Sequence, residues 1–368
     1  MQTHLLADEA RKQQMTTVWD SFVLGQVELK NRLAMAPMTR NRATVGGVPT
    51  DLMVDYYRQR SGLGLLITEG TQPSAEGQGY MLTPGIYNDA QIAGWSKVAD
   101  AVHAEGSALF IQVMHAGRIS HPDNTQDGTL PVAPSAVNPE VHEMNTANGP
   151  QEIPTPRELA TDEIPRIVEE FRTAARSAVA AGADGIELHS ANGYLLHQFL
   201  SPNTNLRSDS YGGSVENRAR LIVEIAKAAA EEIGGDRVGI RLSPNNGAGG
   251  TVEGPDYADT YRHLVGELAP LGLAYLHLMH IGDQELLSWV RANWPQALIV
   301  NRPGRDAAEV GADVSAGLAD LESVGQLALS NPDLADRLKV GGPLNAADPA
   351  TFFAGAERGY IDYPALVS

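Results

Sequence analysis

The sequence predicts an α/β fold, a (β/α)8 barrel with a long, lid-like excursion after its third strand. Three observations predict it. Short apolar runs alternate with longer stretches of helical period from Leu29 to about Asp336. The first seven runs are rich in Ile, Leu and Val with little polar alternation, the pattern of parallel strands buried on both faces. No Gly-rich first turn opens the series. Gly77-Gln78-Gly79 does not continue as GxGxxG and no Walker A loop occurs, which disfavours an open doubly wound sheet. The 368 residues exceed the size of an average domain, but α/β barrels reach that length as one unit.

The expected strands are Leu29–Met38, Leu63–Thr68, Ala108–Met114, Asp184–His189, Val238–Ser243, Ala274–Met279, Ala297–Asn301 and Leu321–Gly325. The eighth, Leu-Glu-Ser-Val-Gly, is weak, because Glu322 belongs in a packed barrel wall only if it is paired. Amphipathic helices are expected over Leu52–Arg60, Ala90–Ala104, Asp162–Ala181, Val215–Ile233, Asp256–Leu268, Gln284–Asn293 and Asp306–Ala316. Thr161 and Ser214 stand where N-caps belong, and Gly234-Gly235 would end the helix that Ser214 starts. Residues 1–17 are polar and read as an N-terminal extension, leaving 18–368 as a single domain. Gly117–Glu158, rich in Pro, Asn and Gly, is too long for an idle connection in a compact domain and reads as a lid.

Composition excludes several kinds of chemistry. With 27 Lys and Arg against 45 Asp and Glu, the net charge of −18 argues against nucleic-acid or anionic-membrane partners. No apolar run approaches the roughly 20 residues of a bilayer span, and the N-terminus turns acidic before a signal-peptide core forms. A cytoplasmic protein is expected, monomeric or homodimeric. The absence of cysteine removes disulfides, thiolate nucleophiles, Cys-ligated zinc and cysteine-held iron–sulfur clusters. HExxH is absent, and His277 and His280, three apart in a strand, point to opposite faces, so no metal site is expected.

In such a barrel the active site lies at the carboxyl ends of the strands. Strand four ends in Glu187-Leu188-His189-Ser190-Ala191-Asn192-Gly193-Tyr194. His189 and Asn192 can donate hydrogen bonds, and Tyr194 offers a phenol that is neutral at pH 7. Two donors beside a neutral acid suit polarising a carbonyl while protonating a neighbouring carbon. Arg241 interrupts the apolar run Val-Gly-Ile-Arg-Leu and needs either an anionic, carbonyl-rich partner or a structural salt bridge.

Several longer motifs then resemble one family. Ala36-Pro37-Met38-Thr39-Arg40, Tyr56-Tyr57-Arg58-Gln59-Arg60 and His115-Ala116-Gly117-Arg118-Ile119-Ser120-His121 resemble the Old Yellow Enzyme family of flavin ene-reductases, in particular its bacterial branch. So do the run from His189 to Pro202 and Tyr211-Gly-Gly-Ser-Val-Glu-Asn-Arg218, and the likeness extends from about Leu24 to Tyr363. The resemblance implies a barrel holding FMN without a covalent link, with NADPH or NADH giving hydride to the flavin. The flavin would pass it to the β-carbon of an activated alkene, an α,β-unsaturated carbonyl or nitro compound.

The resemblance also implies roles. His189 and Asn192 would hold the substrate oxygen and Tyr194 would protonate the α-carbon. Pro37, Met38 and Thr39 would contact the flavin, with Thr39 donating to O4. Gly70 and Gln112 would line the isoalloxazine, and Arg241 would sit near N1 and O2. Tyr80, Met114 and Tyr360 would line the substrate pocket, Met114 standing where the family commonly has Trp.

The phosphate end departs from the pattern. The family's Gly-rich turn after strand seven and Gly-Arg after strand eight read here Asn301-Arg302-Pro303-Gly304 and Gly325-Gln326. Arg302 would replace the lost arginine. The segment after strand six, His280–Gln284, is also shorter than usual. Two alternatives follow: a barrel that keeps FMN but isomerises its substrate, or a flavin-free lyase, isomerase or binding protein. The changed phosphate loops and Glu322 are the support for the flavin-free reading.

Overall fold

The computed structural model describes residues 16–139 and 143–366. The expected extension over residues 1–17 lies almost wholly outside them. The strands, in chain order, are β1 (Phe22–Leu24), β2 (Val27–Leu29), β3 (Leu33–Met35), β4 (Leu65–Ile67), β5 (Ala108–Val113), β6 (Val132–Ala133), β7 (Met144–Thr146), β8 (Gly149–Gln151), β9 (Arg157–Glu158), β10 (Gly185–Ser190), β11 (Val238–Leu242), β12 (Tyr275–Met279), β13 (Ala297–Asn301) and β14 (Leu321–Val324). Eight of them, β3, β4, β5 and β10 to β14, close into a parallel barrel in sequence order. The helices are α1 (Asp51–Gln59), α2 (Asp89–Ala104), α3 (Ile164–Ala180), α4 (Leu195–Leu200), α5 (Val215–Ile233), α6 (Tyr257–Leu268), α7 (Gln284–Asn293), α8 (Ala312–Ser315), α9 (Gln326–Ser330) and α10 (Leu334–Val340). Among the described residues no helix is long and apolar enough to cross a membrane.

Alternation along each strand divides the core. Leu66, Leu109, Ile111, Ile186 and Ile240 pack outward against the helices. Leu65, Ile67, Phe110, Tyr275 and Ile299 join Leu24 and Leu29 of the β1–β2 hairpin in a separate apolar cluster. Above this apolar plug the parallel register changes character. Gln112 pairs with Glu187, His189 with Arg241, Arg241 with His277, and Asn301 with both Met279 and Ser323. The upper half of the barrel is therefore polar, and the site sits there.

Three expectations are corrected. The first strand splits into a floor strand and a wall strand, because Asn31 turns the chain between them. Its Oδ1 accepts from the backbone N–H of Leu33 and of Gly64. Thr161 caps nothing; its hydroxyl donates to Asp209, and a 3₁₀ turn over Thr161–Glu163 leads into α3 instead. The helix expected over Asp306–Ala316 breaks into a 3₁₀ turn and α8, since Gly311 between them has φ of +100°. Ser214 does cap α5, and Gly234 ends it.

The weak eighth strand is explained by pairing. The buried Glu322 carboxylate accepts from Arg305 Nη1 at 2.7 Å and from the backbone N–H of Gly311, Asp313 and Val314. It ties the Arg305–Val314 loop to the barrel. The excursion after β5 folds over the barrel mouth, where the β7–β8 hairpin brings Met144, with Ile153 beyond it, against Ile119, Tyr80 and Tyr194.

Candidate active site

Two cavities meet at the carboxyl ends of the strands. One, of about 620 Å³, is lined by Pro37, Met38, Thr39, Gly70, Tyr80, Gln112, Met114, His189, Asn192 and Tyr194 among others. The second, about 530 Å³, is lined by Arg241, Asn301, Arg302, Gly304, Arg305, Ser323, Gly325 and Gln326. They share Pro37, Met38 and Gln326, so they form one elongated cleft. Every residue expected at the site lines it except one. Tyr360 is fully buried elsewhere, stacked on Tyr56 at 4.1 Å between ring centroids with Arg40 and Arg42 against its ring. It clamps the C-terminal segment rather than lining the pocket. Phe352 and Phe353 do line it, held by Arg40 and Arg42, which both donate to the Phe352 carbonyl. Sequence reading missed this pair because their place depends on arginines more than 300 positions away.

The strand-four residues are set by a strained turn. Asn192 and Gly193 both have left-handed backbones, with φ of 55° and 82°. A side chain at 193 would lie 2.3 Å from the Ala248 carbonyl, so only glycine fits. Asn246 Nδ2 donates to Asn192 Oδ1 at 2.9 Å, which leaves the Asn192 amide N–H groups to donate elsewhere. The Tyr194 and Tyr80 hydroxyls lie 3.0 Å apart, and the His189 and Tyr194 rings are 5.1 Å apart, edge to face. Burial, aided by Tyr80, pushes the Tyr194 phenol well above its usual range, so it keeps its proton. Burial, then the Arg241 charge, holds His189 well below the usual imidazole range, so it is a neutral donor.

The barrel interior beneath carries a connected polar chain. Gln112 Nε2 donates to Glu187 Oε1 at 2.8 Å, and Glu187 Oε2 lies 2.7 Å from His277 Nδ1. Arg241 Nη1 lies 3.0 Å from His277 Nε2, and Nη2 donates to Asn301 Oδ1 at 3.1 Å. Burial raises the Glu187 carboxyl, but His277 and Arg241 overcome it and hold it below its usual value. The charge on Arg241 is thus balanced through His277. Among the described residues its Nε and the His189 Nδ1 stay buried with no protein partner.

At the other end, Arg302 grips Asp313 through Nε and Nη2 at 2.7 and 2.9 Å and reaches His280 Nδ1 at 2.8 Å. Arg305 contacts the same Asp313 at 2.9 Å and Glu322 at 2.7 Å. Two guanidinium groups therefore face two carboxylates.

The comparisons with known proteins give the family. Residues 18–345 match the model of the NADH:flavin oxidoreductase / NADH oxidase family. The chain belongs to this family. It is 40% identical over 352 residues to a probable flavin mononucleotide-dependent alkene reductase of Leishmania infantum, covering 93% of this chain and 96% of that one. Morphinone reductase, solved also with tetrahydroNAD, superposes with a TM-score of 0.92 at 41% identity, covering 96% and 97% of the two chains. The old yellow enzyme homologue of Zymomonas mobilis gives 0.90 at 36% identity, covering 95% and 100%. The expected fold, the Old Yellow Enzyme family, FMN, a nicotinamide donor and ene-reduction all stand. The flavin-free reading falls with the family match, and of its two supports Glu322 is explained by pairing. A flat ring suits the cavity beside Gly70, the orphaned Arg241 Nε suits an electron-rich ring edge, and the Arg302–Gln326 end leaves room for a tail.

Beside Gly70, Glu69 offers a test of the buried charges. Burial raises its carboxyl to about 7, although the Arg40 backbone N–H and charge oppose this. Below pH 4.5 both the folded and unfolded states carry the proton. Between 4.5 and about 7 only the unfolded state loses it, so stability falls as pH rises through that window, by up to about 3 kcal/mol. Thermal unfolding of Glu69→Gln between pH 5 and 8 should lose this fall. An unchanged slope would show that Glu69 is ionised throughout.

Proposed function

We propose that His189 and Asn192 donate to the carbonyl or nitro oxygen of an activated alkene while Tyr194 protonates its α-carbon. One observation carries this: two neutral donors and a phenol that holds its proton line the same cavity. A neutral imidazole polarises an oxygen without surrendering a proton. Tyr194 is both an acid and, through Tyr80, connected to a second hydroxyl that can share its proton. Bound FMN supplies the two-electron carriage between the nicotinamide and the alkene. Pro37, Met38, Thr39, Gly70 and Gln112 would border its ring, and Arg241 would stabilise negative charge on the pyrimidine edge. Asn301, Arg302, Gly304, Gly325 and Gln326 would surround its ribityl phosphate. Met144 and Ile153 of the excursion after β5 add an apolar wall to the cavity.

The test is direct. The purified yellow protein should bleach anaerobically with NADH or NADPH, and a panel of enones and nitroalkenes should restore the colour. Bleaching that no activated alkene reverses would overturn the substrate class.

The phosphate end yields a second expectation. Removing Arg302 leaves Asp313 and Glu322 against Arg305 alone, a net negative charge facing a dianionic phosphate. Losing one charge-assisted interaction costs about 1.5–3 kcal/mol, or roughly 10- to 100-fold in affinity. Arg302→Ala should weaken FMN by that factor and riboflavin little, while Gln326→Ala changes neither. Fluorescence titration of the apoprotein measures all three, and equal FMN affinity in wild type and Arg302→Ala would reject the role.

A further inference from the structure

We propose that Glu253 and His197 are positioning residues that fix the Asn192-Gly193 turn, and so place Asn192 and Tyr194 at the substrate. The inference rests on the roles given above to those two residues. Both members are buried and neither lines the cleft. Gly193 N–H donates to His197 Nδ1 at 2.9 Å, so Nδ1 carries a lone pair and the ring proton sits on Nε2. That nitrogen lies 2.7 Å from Glu253 Oε1. Glu253 also accepts from the Tyr261 hydroxyl and, at Oε2, from the backbone N–H of Asn245. Its partners are all donors, which only a carboxylate serves.

Glu253 thereby grips the turn from two sides. Through His197 it sets the Gly193 N–H. Through Asn245 it sets the start of the strand-five loop, where the next residue, Asn246, donates to Asn192 Oδ1 and where Ala248 closes against Gly193. Asparagine tolerates the left-handed region better than other non-glycine residues, and these bonds fix it there, with Ser243 Oγ accepting from the Asn192 backbone N–H.

Glu253→Gln changes the donor pattern while keeping the shape. With its N–H2 group toward His197, the imidazole must shift its proton to Nδ1, against the Gly193 N–H. With that group toward Asn245, two N–H groups face each other. Either orientation breaks a bond that holds the turn. Stopped-flow measurements on the holoenzyme should show enone oxidation of the reduced Glu253→Gln enzyme slowed at least tenfold. Its FMN content and its reduction by NADH should match wild type, while its oxidation by a quinone, which uses the Asn192 contact to oxygen but needs no carbon protonation, should slow less than the enone step.

The ring nitrogens supply a readout independent of activity. ¹⁵N NMR of His197 should report the Nε2–H form in wild type and a loss of that pure form in Glu253→Gln. A second pair covers the case in which Glu253→Gln does not fold. His197→Asn puts an amide oxygen near the Nδ1 position and should retain the enone step within about threefold, whereas His197→Gln, whose amide falls near Nε2, should not. An enone step within twofold of wild type in Glu253→Gln, equal slowing of both half-reactions, or indistinguishable Asn and Gln variants would each overturn the relay. Failure of the wild type itself to reduce enones would instead overturn the roles of Asn192 and Tyr194, leaving the tautomer result to stand alone.

Discussion

Replacing Tyr194 with Phe should slow oxidation of the reduced enzyme by an enone by about 10²- to 10⁴-fold, the usual worth of a positioned general acid. Reduction by NAD(P)H should stay nearly intact, because no proton is delivered to carbon in that step. Oxidation by a quinone, which needs no carbon protonation either, should barely change. The fold should survive, since among the described residues the hydroxyl has one protein partner, Tyr80, and its loss costs about 1 kcal/mol. A Tyr194 that merely packs predicts a stability loss without this asymmetry. Stopped-flow traces in which flavin reduction suffers as much as the enone step would reject the acid role.

The second large effect concerns Met114. It follows the last residue of β5, lines the cavity, and its Sδ lies 2.5 Å from where a Gly70 side chain would begin. Methionine is narrow and adapts its rotamers, whereas tryptophan is a broad rigid wall. The wild-type pocket should therefore take bulky β-substituted cyclic enones, and Met114→Trp should penalise these selectively. A fit difference on the scale of a methylene group is worth about 1–3 kcal/mol, so the selectivity between bulky and small enones should change roughly 10- to 200-fold. Cyclohexenone should be affected much less. Values of kcat/KM for a small and a bulky enone in both proteins, with product enantiomers resolved, decide it. An unchanged ratio with unchanged enantiomers would make Met114 a space-filler.

The barrel was legible because burial on both faces leaves a plain mark, runs of Ile, Leu and Val at regular spacing. Boundaries failed where one side chain redirects the backbone, as Asn31 does below β3, or where a glycine interrupts a helical period, as Gly311 does before α8. The site was legible where a single strand end carries it, from His189 to Tyr194. It was illegible where the residues come together only through distant pairing. Glu322 looked misplaced because its four donors lie in a loop eight or more residues earlier. Tyr360 was assigned to the pocket from the resemblance alone, but the arginine–carbonyl bonds of the C-terminal segment put Phe352 and Phe353 there instead. Arg305, which shares Asp313 with Arg302, has no local signal at all, since its partners follow on two later elements, α8 and β14.

The most direct measurement of the central claim is the position of deuterium in the product of an enone. With NADH deuterated at the transferred position and ordinary water, the label should appear on the β-carbon. With unlabelled NADH in heavy water, it should appear on the α-carbon, and Tyr194→Phe should slow its arrival there. Solvent deuterium on the β-carbon, or nicotinamide deuterium on the α-carbon, would contradict a cavity in which His189 and Asn192 hold the oxygen and Tyr194 protonates its neighbour.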